Sequence, residues 1–125
     1  MKLLLDTVII FVRDIEKMKT FYTGILQFAV EEEIPGEWVL LRSGNAKIGL
    51  HKMGKAFLEK SKENFTTGNN IKIVFETTEN IDLLQKQLLE LNVPVAAVAT
   101  FDGYDYWICD GQDPEGNVFQ LKQKK

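Results

Sequence analysis

Residues 71–94 decide the fold: Ile71-Lys72-Ile73-Val74-Phe75-Glu76-Thr77-Thr78-Glu79-Asn80-Ile81-Asp82-Leu83-Leu84-Gln85-Lys86-Gln87-Leu88-Leu89-Glu90-Leu91-Asn92-Val93-Pro94. Ile71 to Thr77 alternates in part and is rich in β-branched residues, so it reads as a strand. Asn80 is a side chain suited to cap a helix. Ile81, Leu84, Leu88 and Leu91 follow at helical spacing, Asn92 ends the helix and Pro94 forbids its continuation. The same order opens the chain. Leu3-Leu4-Leu5 and Val8-Ile9-Ile10-Phe11-Val12 make residues 3–12 a nearly continuous apolar strand. Asp14 is a helix cap, and Ile15, Met18, Phe21 or Tyr22, and Ile25 recur on one helical face until Gly24 to Gln27.

Working outward, each strand–helix opening is followed by three more strands. In the first half these are 28–33, 37–41 and 47–51, with turns at Pro35-Gly36 and Ser43-Gly44-Asn45. In the second they are 95–100, 104–109 and 117–122, with turns at Asp102-Gly103 and Asp113-Pro114-Glu115-Gly116. Residues 52–70 carry Gly, Ser and Asn among charges and read as a connector, with a short helical turn expected around Ala56 to Lys60. Two strand–helix–strand–strand–strand units are an internal repeat. Runs of strands with one crossover helix each predict an α+β fold of mixed sheets with helices packed outside.

The chain has 125 residues and a formal net charge of −3, which suits one domain and offers no basic face for nucleic acid. No apolar run approaches the roughly 20 residues of a membrane span. Asp6 and Arg13-Asp14 interrupt the apolar opening and no cleavage site follows, so no secretory signal is expected and the protein is expected in the cytoplasm. Cys109 is the single cysteine and His51 the single histidine, which cannot form an intrachain disulfide or a structural zinc site. Cys109 lies in an apolar strand with no base near it in sequence and reads as a buried, inert thiol. Asp102, Asp105 and Asp110 read as turn and surface acids.

Two segments resemble a known family. Asp6-Thr7-Val8-Ile9-Ile10-Phe11-Val12-Arg13-Asp14-Ile15-Glu16-Lys17, with Phe21-Tyr22 and Leu26-Gln27-Phe28, resembles the opening module of the vicinal oxygen chelate superfamily of glyoxalases, fosfomycin resistance enzymes, extradiol dioxygenases and bleomycin resistance proteins. Asp113-Pro114-Glu115-Gly116-Asn117-Val118-Phe119-Gln120-Leu121 resembles the turn and last strand of its second module. The resemblance implies two βαβββ modules forming a cupped mixed β-sheet with outer helices: a single domain over 1–125, with module one about 1–52, a connector about 53–69 and module two about 70–125. It also implies a homodimer. In metal-dependent members the four metal corners fall, position by position, on Thr7, Gly49, Lys72 and Gln120. None of the four retains a proper ligand, so no metal and no cofactor are expected. His51 shares the strand face of Gly49 but lacks companion ligands.

The partner this reading leaves is a small organic ligand. Thr7, Trp38, His51, Lys72, Phe101, Tyr106, Trp107 and Gln120 are the candidate ligand-binding residues. Lys72 and Gln120 are suited to fix a carboxylate or a carbonyl. The competing assignment for Lys72 is a salt bridge to Glu76 or Asp105. Alternation puts Tyr106 and Trp107 on opposite faces of one strand without saying which face is the binding face. The function implied is metal-free ligand binding like that of the bleomycin resistance branch. The alternative is a glyoxalase-like lyase, isomerase or thiol transferase.

Overall fold

The computed structural model describes residues 1–2, 4–55 and 71–125. The expected helical turn at 56–60 lies outside the described residues. The chain forms two compact units, Met1–Phe65 and Thr66–Lys125.

The first unit contains β1 (Thr7–Val12), α1 (Ile15–Thr20), β2 (Ala29–Ile34), β3 (Trp38–Ser43) and β4 (Ala46–Lys52). Its sheet runs β1-β4-β3-β2, with β1 parallel to β4 and the other pairs antiparallel. The Asp14 carboxylate accepts from Lys17 N–H at 3.0 Å and starts α1. Phe21–Ile25 then widens to a π-helical turn, in which Leu26 N–H donates to Phe21 O at 3.2 Å. Gln27 adopts φ +61° and turns the chain out of the helix. Alternation divides the sheet residues. Val12, Val39, Leu41, Ile48 and Leu50 are buried on the helix side with Ile15, Met18, Phe21 and Tyr22. Thr7, Ile9, Phe11, Trp38, Leu40, Gly49 and His51 share the other face. The first strand is shorter than the apolar run predicts. It starts at Thr7, opposite Lys47 near the beginning of β4, and Leu4 and Leu5 lie exposed before it.

The second unit contains β5 (Ile73–Thr77), α2 (Ile81–Glu90), β6 (Tyr106–Gln112) and β7 (Val118–Lys124), with sheet order β5-β7-β6. The β5–β7 pair is parallel and β6–β7 antiparallel. Asn80 Oδ1 accepts from Leu83 N–H at 3.0 Å. Asn92, at φ +60°, closes the helix: its N–H reaches Leu89 O at 3.0 Å, and Val93 N–H reaches Leu88 O at 2.9 Å. Val93 and Leu88 are both buried, which is the apolar contact that accompanies this kind of cap.

The strand expected at 95–100 is not a regular one. The segment follows β6 through Ala96 N–H to Asp110 O (2.8 Å) and a reciprocal pair between Ala99 and Ile108 (2.9 and 2.8 Å). The bridges Val95–Gly111 and Ala99–Ile108 place one more residue on this segment than on β6, so the ladder is interrupted. The matching strand β2 has the same irregularity between Val30 and Glu32. The strand expected from Tyr104 begins instead at Tyr106. Phe101-Asp102-Gly103-Tyr104 is a turn closed by Tyr104 N–H to Phe101 O at 3.1 Å, with Gly103 at φ +73°.

Candidate functional site

Each unit carries its own cluster on the sheet face away from its helix. In the first unit, the register puts Ile9 and Leu40 on either side of Gly49. A Cβ at Gly49 would stand 2.3 Å from Trp38 Cη2 and 3.2 Å from Ile9 Cγ1, so the indole occupies the space a side chain there would need. Trp38 pairs with His51 across β3–β4, and the ring centroids are 6.0 Å apart. Phe11 meets the same imidazole at 5.5 Å. His51 Nδ1 lies 2.8 Å from the Lys52 carbonyl oxygen. That contact requires a proton on Nδ1, which leaves Nε2 as the acceptor of the neutral ring. Thr7 stands at the other end of this face. Its hydroxyl donates to Asp6 Oδ2 at 2.6 Å. That bond, followed by the charge of Lys47, holds the Asp6 carboxyl below its ordinary value.

In the second unit, Asp110 lies opposite Gln120 across β6–β7. Gln120 Nε2 donates to Asp110 Oδ1 at 2.7 Å, and Lys72 Nζ donates to Asp110 Oδ2 at 2.7 Å. Lys72 precedes β5, two residues before Val74, which is the partner of Gln120. Partial burial pushes the Asp110 carboxyl up, but the bonds from Lys72 and Gln120 and the charge of Lys72 outweigh it, and the group sits below its ordinary value. The lysine therefore pairs with Asp110 rather than with Glu76 or Asp105. Asp110, read from sequence as a surface acid, is the centre of the cluster. Glu76 is approached instead by Lys122 at 3.8 Å.

Tyr106 shares the face of Asp110, and Lys122 Nζ lies 4.4 Å from the centre of its ring. The rings of Phe101, Tyr104 and Tyr106 form a chain with spacings of 6.1 and 5.6 Å. Trp107 points the other way. It pairs with Gln123, whose Oε1 accepts from Ile81 N–H at the start of α2, and its ring lies 5.0 Å from Lys125 Nζ. It does not join Lys72, Asp110 and Gln120. Cys109 is buried on that same helix side. Burial, followed by the charges of Asp110 and Asp82, pushes its thiol up, away from the reactive thiolate.

The structure thus gathers Trp38 and His51 in one unit, and Lys72 and Gln120, with Tyr106 on the same face, in the other. Sequence reading missed Asp110 and Phe11. Asp110 had one available signal: counted back from Gln120 through the 113–116 turn, it falls on the opposite strand.

A model of the Glyoxalase/Bleomycin resistance protein/Dioxygenase superfamily matches residues 4–121. The chain belongs to this superfamily. Solved structures of the same fold include an integron cassette protein from the mobile metagenome of the Halifax Harbour sewage outfall (TM-score 0.76, 22% identity, 95% of this chain and 97% of that one). An antibiotic-binding protein from a Streptomyces species gives TM-score 0.75 at 19% identity, covering 99% of this chain and 98% of that one. A lactoylglutathione lyase from Agrobacterium tumefaciens gives 0.73 at 14%, covering 96% and 92%. No curated protein matches the sequence significantly.

The positions onto which the resemblance carries the metal corners do not fit an ion in this chain. Gly49 offers no donor, and the indole of Trp38 occupies the space a side chain there would need. Lys72 brings an ammonium, and the Gln120 amide is turned to donate to Asp110. Among the described residues, no three His, Cys, Asp or Glu side chains come together as a ligand group. No described helix is long and apolar enough to cross a membrane.

Proposed function

We propose that this protein binds a small organic ligand without a metal ion, as one cytoplasmic domain of two modules that works as a homodimer. The observation that carries the reading is the ion cluster of the second unit. The ammonium of Lys72 sits on Asp110 beside Gln120, so a positive charge fixed by the chain stands where relatives hold a cation. A divalent ion there would be repelled by the ammonium and would find one free carboxylate at most. Exposed aromatic side chains on the faces of both units, Phe11 in the first and Phe101 and Tyr104 in the second, supply the apolar surface that ligand sites use. Binding without turnover also agrees with the description of the Streptomyces neighbour as an antibiotic-binding protein.

The test is metal analysis of the purified protein together with thermal unfolding in added zinc, nickel, manganese and iron. The expected result is no stoichiometric metal and no metal-dependent rise in Tm. Bound metal at one ion per chain with a raised Tm would overturn the reading. Sedimentation tests the dimer, and a monomer at working concentrations rejects it.

A further inference from the structure

The Lys72–Asp110–Gln120 cluster is closed to an anion by its own carboxylate. Asp110 accepts at both oxygens, from Lys72 at Oδ2 and from Gln120 at Oδ1. The two ionised groups cancel. What the cluster still offers outward is the remaining N–H donors of the ammonium and the Gln120 Oε1 acceptor. A ligand carboxylate arriving at Lys72 meets Asp110 as a like charge. A carboxamide or lactam does not: its carbonyl accepts from Lys72, and its N–H donates to Gln120 Oε1. On the same face of β6, four residues from Asp110 and so about 13 Å along the strand, Tyr106 continues into the ring chain of Tyr104 and Phe101. Lys122 covers part of Tyr106. The Asp110 end of the face is thus neutralised within itself, and the aromatic end carries the Lys122 ammonium.

We infer that Asp110 is a specificity residue that sets the charge of the ligand: it disfavours carboxylates at Lys72 and selects a neutral carboxamide or lactam. The inference rests on the small-ligand reading for its ligand class. The exclusion of anions rests on the cluster alone.

The experiment uses the full chain, unsubstituted and with Asp110→Asn or Asp110→Ser, and two probes of one shape, 2-naphthamide and 2-naphthoate, titrated by calorimetry. A parallel acetate titration follows the Gln120 side-chain NH2 signals by nitrogen-15 NMR. The unsubstituted protein is expected to favour the amide by about tenfold, the size of one charge-assisted hydrogen bond. Both variants are expected to reverse or abolish that preference. Acetate is expected to shift the Gln120 signals saturably in the variants and not in the unsubstituted chain. The same probe order in all three proteins, or an equal response to acetate, overturns the inference. If acetate behaves as expected and neither naphthyl probe binds, the selection of an amide is overturned and the exclusion of anions stands.

Discussion

The two units use one plan and fill its equivalent positions with opposite chemistry. The residue opposite Gly49 on β3 is Leu40; the residue opposite Gln120 on β6 is Asp110. Two residues before the β1 partner of Gly49 stands Thr7, and two residues before the β5 partner of Gln120 stands Lys72. The first unit thus has Thr7, Leu40 and a Gly49 covered by an indole, while the second holds Lys72, Asp110 and Gln120 in a closed ion cluster. One unit fills the space at its glycine with a ring, and the other sets an ion cluster at the matching register.

The largest expected effect breaks that contrast by rebuilding a metal set within one unit. Lys72→His with Gln120→Glu adds two donors to Asp110 and is expected to bind zinc or nickel. At a hundredfold excess over Kd, binding stabilises by about 2.7 kcal/mol, read as a raised Tm. The matching pair in the first unit, Thr7→His with Gly49→Glu, is expected to give no such gain, because Leu40 supplies no third donor and Trp38 occupies the space. Equal gains in both would erase the distinction between the halves.

Glycine under an aromatic ring occurs in both units and sharpens the comparison. A Cβ at Gly111 would stand 2.5 Å from Phe119 Cζ, and Phe119 is 1% exposed and enclosed. Gly111→Ala is expected to cost about 2–3 kcal/mol in urea unfolding, at the upper end for overpacking. Gly49→Ala is expected to cost about 1 kcal/mol, because Trp38 is only half-buried and can swing toward solvent. Trp38→Leu is expected to remove most of that second cost and none of the first.

The smallest effect is in the acid range. The folded-state pKa of Asp110 is lowered, so its contribution is present above the ordinary carboxylate pKa and is lost as pH falls through the folded value. Asp110→Asn is expected to flatten the acid limb of stability against pH by lowering stability slightly at neutral pH and leaving it nearly unchanged below the folded pKa, the loss being small because the side chain is partly solvated and screened. An unaltered acid limb would show that the cluster adds nothing to folding.

Much of the fold was legible because its signals are local. Asp14 and Asn80 cap helices where their side chains predict, and alternation sorts Val39 and Leu41 from Leu40. The sequence did not reveal where pairing stops. The 95–100 segment has strand composition, yet its extra residue against β6 breaks the ladder, and an extra residue becomes visible only once the partner is known. The candidate site was half legible. Lys72 and Gln120 followed from the resemblance, but Asp110 needed the β6–β7 register, and the placement of Trp38 over Gly49 needed the absent side chain there.

The turn that sets that register has a consequence for the order of assembly. The Asp113 carboxylate is buried and accepts from Glu115 N–H, Asn117 N–H and Asn117 Nδ2 at 2.8–2.9 Å, which pins the reversal between β6 and β7. Asp110 and Gln120 are ten residues apart and meet by closing this hairpin, an event of about 1–10 μs. Lys72 must arrive across 38 residues, after the crossover helix has brought β5 alongside β7. The carboxylate–amide pair is therefore expected in place before its cation, with the lysine docking onto a socket already made.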